Sequence, residues 1–311
     1  MSKTAFIFPG QGAQFVGMGK DICEAIPASA AIFDRAEAAT GLAIKQLCFE
    51  GPEDDLNRTD IAQPAIFTVS VAMLAAMDAL CCEGKPQADV LAGLSLGEYT
   101  ALYAAGAMDF ETGVKLVARR GELMQAAALA RPSGMVALIG PDEAQATALC
   151  EKAAQGQILT PANFNCPGQI VLSGENEACQ RAADQAEEFG ARGATVLKVA
   201  GAFHSEIMAS AAEQFAKTLA EVDFAQPTVP VIANVNATEY SSAEDIPKNL
   251  LAQLTGAVRW QQSMEKLLAD GVDSYYEIGP GKVLTGLMRR IDRKTKVTQV
   301  NTLEAVENLV D

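Results

Sequence analysis

A Gly-x-Ser-x-Gly pentapeptide at residues 93–97 contains a serine, Ser95, that could act as a nucleophile. An apolar run at residues 88–92 precedes it, and a sequence that favours a helix follows at residues 98–102. This arrangement is typical of a nucleophile elbow, where the serine lies on a tight turn between a strand and a helix. The first N–H groups of the helix would face an oxyanion formed on the serine. A motif this short also occurs by chance, so other residues must support the interpretation.

Only one histidine occurs in the chain, and it limits the choice of general base. If an imidazole activates Ser95, that imidazole belongs to His204. A single histidine is more often an ordinary packed or surface residue. Here, a strand predicted at 195–199 and a loop of small residues precede His204, which is predicted to open a helix that continues to Glu221. Catalytic groups often lie on such loops at strand ends.

Two further positions could contribute to the same chemistry. Gln11 lies between two glycines directly after a predicted strand, so its backbone N–H could face the oxyanion, although a simple tight turn explains the glycines equally well. Their spacing does not fit a dinucleotide-binding fingerprint. Arg120 shares the apolar face of the helix predicted to begin near Asp109, whereas Arg119 is turned away. A buried guanidinium needs an anion, which could be a structural carboxylate such as Glu98 or Asp109, or part of a ligand.

Strands and helices alternate along most of the chain, which predicts an α/β fold with a parallel sheet. One long helix is expected from a cap at Asp60 to about Cys81, ended by Gly84 and Pro86. Residues 130–198 instead follow the order β-α-β-β-α-β of a ferredoxin-like unit. We therefore predict a large domain at 1–129 and 199–311 with a small domain at 130–198 inserted into it. Ser95 and His204 would then meet in a cleft between the domains, a common place for a substrate.

Composition excludes several classes of function. The net charge of −15 argues against nucleic acid or an anionic membrane as the general partner. We expect that no apolar run approaches the roughly 20 residues that span a bilayer. Seven cysteines without a C-x-x-C pair, together with one histidine, predict a reducing compartment and no metal site. A basic segment near the C-terminus is either a solvated helix face or a docking patch for an acidic partner; its cations are Lys282, Arg289, Arg290, Arg293, Lys294 and Lys296.

Taken together, the motifs resemble those of the malonyl-CoA:acyl carrier protein transacylase family, over essentially the whole chain. The resemblance rests on several segments in the same order, which are Phe8 to Gln14, Gln63 to Ala65, Gly93 to Tyr99, Arg120-Gly121, Asn165 to Gln169, Phe203 to Ser205, and Gly279 to Leu284. It implies an α/β-hydrolase-like domain that carries a ferredoxin-like insert.

The resemblance also implies the roles of individual residues. Ser95 would be the nucleophile and His204 its general base, while Gln11 and Leu96 would contribute backbone N–H groups to the oxyanion hole. The reaction would move a malonyl group from malonyl-CoA to the phosphopantetheine thiol of holo acyl carrier protein, in fatty acid synthesis. Malonyl-CoA would be the substrate, and no cofactor is expected.

Three residues would complete the site. Arg120 would hold the free carboxylate of the malonyl group, with Gln63 nearby and Asn163 as a further substrate-binding residue. The backbone carbonyl of Gln253 would orient the histidine. Family members often have a proline where this chain has Ala257.

The basic segment would bind the carrier protein through Lys282, Arg289, Arg290 and Arg293. We expect a monomer in the cytoplasm, or in a plastid stroma. One alternative is a serine hydrolase or thioesterase, in which histidine follows an Asp or Glu late in the chain. The other is a carrier-protein-binding module without catalytic activity, which would not need Ser95, His204 and Arg120 together.

Overall fold

A computed structural model describes residues 2–81 and 85–309. The predicted Gly84 helix stop lies outside these residues. The first part of the described chain contains β1 (Lys3–Phe8), α1 (Lys20–Ala25), α2 (Pro27–Thr40), α3 (Ile44–Glu50), α4 (Glu53–Leu56), α5 (Thr59–Leu80), β2 (Val90–Gly93), α6 (Gly97–Ala104) and α7 (Phe110–Ala130). The middle part contains β3 (Ser133–Ile139), α8 (Glu143–Ala154), β4 (Leu159–Cys166), β5 (Gln169–Glu175), α9 (Asn176–Gln185) and β6 (Gly193–Val196). The last part contains α10 (Ala209–Leu219), β7 (Val231–Ile232), α11 (Asp245–Thr255), α12 (Trp260–Ala269), β8 (Val272–Ile278), α13 (Val283–Ile291), β9 (Val297–Val300) and α14 (Leu303–Glu307).

A five-stranded parallel sheet forms the centre of the large domain, with the strand order β7-β2-β1-β8-β9. The last four residues of β1 are fully buried, as expected for a central strand covered by helices on both faces. All strands point the same way, so their carboxyl ends share one edge. The loops after β1, β2 and β7 carry Gln11, Ser95 and Asn234 at this edge, where ligands of such folds bind.

A separate antiparallel sheet is built from the middle of the chain. Its strand order β4-β5-β3-β6 is that of a ferredoxin-like unit, and this confirms the predicted fold class. The four strands all fall within the predicted insert, whose boundaries at 130 and 198 stay a prediction. The two parts are joined by main-chain hydrogen bonds, since Phe164 N–H donates to Val258 O at 2.9 Å and Val258 N–H to Ala162 O at 2.8 Å.

Helix α5 is almost entirely buried and packs against α7 in the core. By length and composition it is apolar enough to cross a membrane, so the expectation that no run reaches that length is wrong. Within the protein, 89% of its apolar window is buried, as in the core helix of a soluble protein. A helix that is apolar on all sides needs an apolar environment on all sides, and the core provides it here.

Two other predictions are wrong in detail. Asp60 does not cap α5: Arg58 is the N-cap residue, and the Asp60 carboxylate pairs with its guanidinium at 2.6 Å. His204 does not open a helix. It lies in a turn with φ +59°, and the chain enters a short 3-10 helix at Glu206–Met208 before α10 begins. Helices α1–α4 and α14 and the edge strand β9 were not predicted.

Candidate active site

Ser95 lies on a tight turn between β2 and α6, with a left-handed backbone at φ +53°. Such a conformation is uncommon for a residue with a side chain. The flanking glycines are required by close backbone contacts: a Cβ on Gly93 would lie 1.9 Å from the Gly97 carbonyl carbon, and one on Gly97 would lie 2.1 Å from the Phe8 carbonyl oxygen. The turn therefore packs against both α6 and the end of β1. A tight strand-to-helix turn of this kind is what the predicted nucleophile elbow requires, and the turn at residues 93–97 is called the elbow below.

His204 lies within hydrogen-bond distance of the serine. Ser95 Oγ is 2.8 Å from His204 Nε2, and His204 Nδ1 is 2.7 Å from the carbonyl oxygen of Gln253. A carbonyl only accepts, so Nδ1 carries the proton and the lone pair of Nε2 faces the serine hydroxyl. The histidine is oriented by a backbone carbonyl at the position that the resemblance implied.

The imidazole is held in its neutral form by its surroundings. Burial lowers the pKa of His204 to about 4, with a further contribution from the positive charge of Arg120. His204 is only 4% exposed, so water cannot solvate a charged imidazolium there and the neutral ring is favoured. At neutral pH, the ring can accept the serine proton.

Arg120 points into the site from α7 and is 1% exposed. Its Nη1 donates to Gln63 Oε1 at 2.7 Å, and its Nη2 donates to Ser95 Oγ at 3.0 Å and Gln253 Oε1 at 2.9 Å. The Nε–H is buried without an acceptor among the described residues. Arg119 points the other way, as predicted, and pairs with Glu122 on the surface.

The structural carboxylates considered as partners for Arg120 do not contact it. Asp109 caps α7 by accepting from Thr112 N–H at 2.7 Å. Glu98 lies behind the site, and among the described residues no carboxylate oxygen is within 4.0 Å of the Arg120 nitrogens. The neutral carboxamide of Gln253 lies between the two charges. Arg120 thus keeps a positive charge beside Ser95 that no described anion neutralises directly.

Glu98 is fully buried and accepts three hydrogen bonds, which sequence reasoning did not anticipate. The donors are the Tyr240 hydroxyl, Gln253 Nε2 at 2.6 Å and the Asn234 N–H at 3.2 Å. Burial raises the pKa of Glu98 to about 7, and these donors oppose that rise. The carboxylate is therefore the anchor of a polar network behind the elbow. Its position three residues after Ser95, on the inner side of α6, was the feature of the sequence that could have indicated a role near the site.

Asn234 was also missed as a site residue. Its Oδ1 accepts from the Ser95 N–H at 2.6 Å, and its Nδ2 donates to the Gly93 carbonyl at 2.7 Å. It follows β7 at the carboxyl edge of the sheet, which was the only indication in the sequence.

Two backbone N–H groups near the serine are free to bind an oxyanion. Among the described residues, neither the N–H of Gln11 nor that of Leu96 donates a hydrogen bond, whereas the neighbouring Gly97 N–H bonds to Leu94 O at 2.9 Å. The Gln11 loop packs tightly on the elbow, since a Cβ on Gly10 would lie 2.3 Å from the Leu94 carbonyl oxygen. Both N–H groups are therefore unpaired close to Ser95, and their role as oxyanion donors stays a prediction.

The site opens into a cleft of about 560 Å³ between the two parts of the molecule. Ser95, His204, Arg120, Gln11 and Asn163 all line it. Gln63, Leu96 and Gln253 lie behind this first layer and are fully or almost fully buried. The small domain contributes further lining residues, Met135, Asn165, Gln169 and Val171. A cleft of this size, lined by both apolar side chains and converging polar groups, is typical of a small-molecule site.

The basic segment lies at one side of the cleft, on and after α13. Lys282, Arg289, Arg290 and Arg293 are exposed, and within the described chain none has a carboxylate within ion-pair distance. Val283, at the start of the same helix, is 44% exposed and lines the cleft. A surface of unpaired cations thus adjoins the opening.

Comparison with known proteins identifies close relatives. Residues 5–306 match the acyl transferase domain family. The chain is 42% identical to a malonyl CoA-acyl carrier protein transacylase of Bacillus subtilis, an alignment covering 99% of this chain and 96% of the relative. The structure of a malonyl CoA-acyl carrier protein transacylase from Coxiella burnetii superposes with a TM-score of 0.95 at 38% identity, covering 99% and 97% of the two chains. A malonyl-transacylase solved in complex with a holo type II PKS acyl-carrier protein gives a TM-score of 0.94 at 39% identity, covering 99% of each chain.

Proposed function

The chain belongs to the malonyl CoA-acyl carrier protein transacylases of the acyl transferase domain family, and we propose that Ser95 carries the malonyl group from malonyl-CoA to holo acyl carrier protein. The observation that carries the site assignment is the position of Arg120. Its Nη2 lies 3.0 Å from Ser95 Oγ, while the His204 imidazole contacts the same oxygen. A nucleophile, a base and a cation meet at one atom.

In the first half-reaction, Ser95 Oγ attacks the thioester carbonyl of malonyl-CoA, and the hydroxyl proton passes to His204 Nε2. The oxyanion is stabilised by the N–H groups of Gln11 and Leu96. The carbon–sulfur bond then breaks, and the departing CoA thiolate takes the proton from His204. The product is a malonyl-serine ester, and the imidazole is neutral again.

In the second half-reaction, the phosphopantetheine thiol of the carrier protein replaces CoA. His204 accepts the thiol proton, the thiolate attacks the serine ester, and the proton returns to Ser95 Oγ as the new thioester forms. The two half-reactions use the same groups in opposite directions. This symmetry predicts ping-pong kinetics.

Arg120 makes the site selective for malonyl over acetyl groups. A malonyl carboxylate gives the buried guanidinium an anionic partner, whereas an acetyl group leaves it without one. Sites that leave a buried polar group unpaired with the wrong substrate can discriminate by about 10⁴. Gln63 accepts from Nη1 and so fixes the plane of the guanidinium. Asn163, which lines the cleft and is 9% exposed, would contact the substrate from the small domain.

The carrier protein would bind beside the cleft, on the basic segment of α13. The exposed cations Lys282, Arg289, Arg290 and Arg293 suit an acidic partner, and their neighbour Val283 leads into the cleft. The monomeric state, the cytoplasmic location and the need for no cofactor stay predictions of the sequence.

A covalent-labelling experiment tests this function against the hydrolase alternative. Radiolabelled malonyl-CoA should leave acid-stable label on Ser95, and holo carrier protein should remove it far faster than buffer does. Ser95→Ala should take up no label. Rapid loss of label to water would favour a hydrolase, and no label on the wild-type chain would leave only a binding role.

A further inference from the structure

Asn234 spans the elbow that holds the nucleophile. The two hydrogen bonds of its carboxamide, at 2.6 Å to the Ser95 N–H and 2.7 Å to the Gly93 carbonyl, go to backbone groups on either side of Leu94. One is accepted and the other donated, so both ends of the carboxamide are used. A side chain from the loop after β7 thus holds together two points of the turn between β2 and α6.

The elbow needs such support because its backbone is strained. Ser95 has φ +53°, a conformation that costs free energy for a residue with a Cβ and persists only where surrounding contacts impose it. The Ser95 N–H is one of these contacts, and it is not available for the oxyanion because Asn234 binds it. The neighbouring Leu96 N–H remains free among the described residues. The carboxamide therefore occupies the Ser95 N–H and leaves the Leu96 N–H unpaired.

Asn234 is itself fixed by the network behind the site. Its N–H donates to Glu98 Oε2 at 3.2 Å, and it is 1% exposed. Its side chain lies outside the cleft, so it touches neither substrate nor leaving group.

We infer that Asn234 is a positioning residue, whose carboxamide holds Ser95 in the reactive conformation by bridging the Ser95 N–H and the Gly93 carbonyl. The inference rests on Ser95 being the nucleophile of the proposed function. It concerns the serine alone, so the loss of Asn234 should slow every reaction at Ser95 regardless of the acyl group.

Asn234→Asp gives a test that a merely structural role would not pass. A protonated carboxyl can reproduce both hydrogen bonds, accepting from the Ser95 N–H and donating to the Gly93 carbonyl. An ionised carboxylate cannot donate, and it places negative charge against that carbonyl oxygen. Four titratable groups surround this position. Glu98 opposes ionisation of the introduced carboxyl and Arg120 favours it, whereas His204 and Tyr240 are neutral.

The measurement is the rate at which an uncharged alkyl fluorophosphonate labels Ser95. In this reaction, the serine oxygen bonds to phosphorus, fluoride leaves, and the hydroxyl proton passes to His204. For Asn234→Asp, we expect labelling to fall at least about tenfold between about pH 5 and about pH 9, as the new carboxyl ionises. The wild-type rate should not fall over this range. Asn236→Asp, the same change on an exposed residue two positions later, should keep the wild-type profile.

Asn234→Ala provides a second test if the aspartate variant does not fold. It should slow acylation by malonyl-CoA and acetyl-CoA by the same factor, about tenfold to a hundredfold, because both depend on the serine. The folded fraction is measured at each pH by near-ultraviolet circular dichroism. An unchanged pH profile, labelling that follows the folded fraction, or unequal losses for the two acyl groups would overturn the inference. Failure of the wild-type chain to be labelled at Ser95 would instead remove the proposed function.

Discussion

At the scale of single residues, the site depends on which groups are charged. In the proposed function, His204 must be neutral to accept a proton, and Arg120 must be charged to hold a carboxylate. Both are buried, and burial lowers the pKa of each. For the histidine this is useful, because a pKa of about 4 leaves it unprotonated at neutral pH. For arginine the intrinsic pKa is so high that the charge survives.

The pH dependence of acylation should reflect this histidine. The rate of malonyl-Ser95 formation should fall as pH decreases through about 4, where His204 becomes protonated, and should be level from about pH 6 to about pH 8. Because Arg120 contributes to the lowered pKa, Arg120→Ala should move this acid limb to higher pH. The limb is measured in the wild type and in Arg120→Ala by rapid-quench acylation with acetyl-CoA, a substrate that does not need Arg120. A limb near pH 6.5 in the wild type, the ordinary value for histidine, would contradict the account.

The site residues that could be proposed from the sequence are those that lie in a distinctive motif or are the single residue of their type. Ser95, His204 and Arg120 could be found from a pentapeptide, a single histidine and a helix face. Glu98 was considered only as a partner for Arg120, and the hydrogen bonds that join it to Asn234 and Tyr240 were not predicted, because they form only when separate segments fold together.

At the scale of elements, the elbow depends on small residues at fixed places. Gly97→Ala would place a methyl group 2.1 Å from the Phe8 carbonyl oxygen, so β1 and α6 would have to separate. We expect a loss of about 1–3 kcal/mol in the free energy of unfolding, the range for overpacking, and no labelling of Ser95 by a fluorophosphonate. The measurements are thermal unfolding and labelling.

Gly286→Ala is the matched control. Gly286 lies within α13, and a Cβ there would meet no atom within 4 Å. Alanine favours a helix over glycine by about 0.5–1 kcal/mol, so this variant should be slightly more stable and label normally. Equal behaviour of the two variants would contradict the role given to the close contact at Gly97.

Helix α13 is held by a buried carboxylate at its N-terminal end. Glu277 accepts from the N–H groups of Leu284 and Thr285 at 2.9 Å and 2.8 Å, and from the Thr285 hydroxyl at 2.6 Å. Glu277→Gln replaces one acceptor by a donor that faces these N–H groups. We expect a cost of about 1–2 kcal/mol and a higher KM for carrier protein, with the KM for malonyl-CoA unchanged.

Steady-state kinetics with each substrate varied in turn measures that prediction. Glu265→Gln, on the exposed face of α12, is the control and should change neither constant. A rise in both KM values for Glu277→Gln would mean that the helix shapes the cleft itself and not the docking surface.

Strongly patterned elements were predicted best. Helix α7 was expected to begin near Asp109, and Asp109 is its N-cap residue, a role that was not predicted. Helices α1–α4 were missed, including the 14 residues of α2, and α5 was placed but its cap was assigned wrongly. Such helices depend on tertiary contacts that a local pattern does not contain.

At the scale of the whole molecule, charge is unevenly distributed. The chain carries a net charge of −15, yet the segment around α13 is basic. This difference favours one orientation for an acidic partner approaching the cleft.

Reversal of charge on α13 tests the docking surface. Arg289→Glu combined with Arg290→Glu should raise the KM for carrier protein about tenfold or more at low salt, while the KM for malonyl-CoA stays the same. Lys217→Glu combined with Lys248→Glu makes the same change in charge on α10 and α11, which do not line the cleft, and should have little effect. Similar effects of the two double variants would show that net charge, and not the α13 surface, controls binding.

The alternation of strands and helices predicted the parallel sheet, and the order of elements at 130–198 predicted the antiparallel sheet of the insert. The sequence predicted that a cleft lies between the two domains, but not which residues line it. Its lining depends on how the small sheet lies against the large one, and the contact at Val258 that joins them has no signature in the sequence.

The most direct test of the account is the preference of Ser95 for malonyl over acetyl groups in a single turnover. Acyl-enzyme formation is followed by rapid quench with each CoA ester, in the wild type, Arg120→Ala and Arg119→Ala. We predict that Arg120→Ala loses about a hundredfold or more of the malonyl preference while acetylation persists, and that Arg119→Ala keeps it. Equal loss of both acylation rates in Arg120→Ala, or an equal effect of the two arginine variants, would contradict the account.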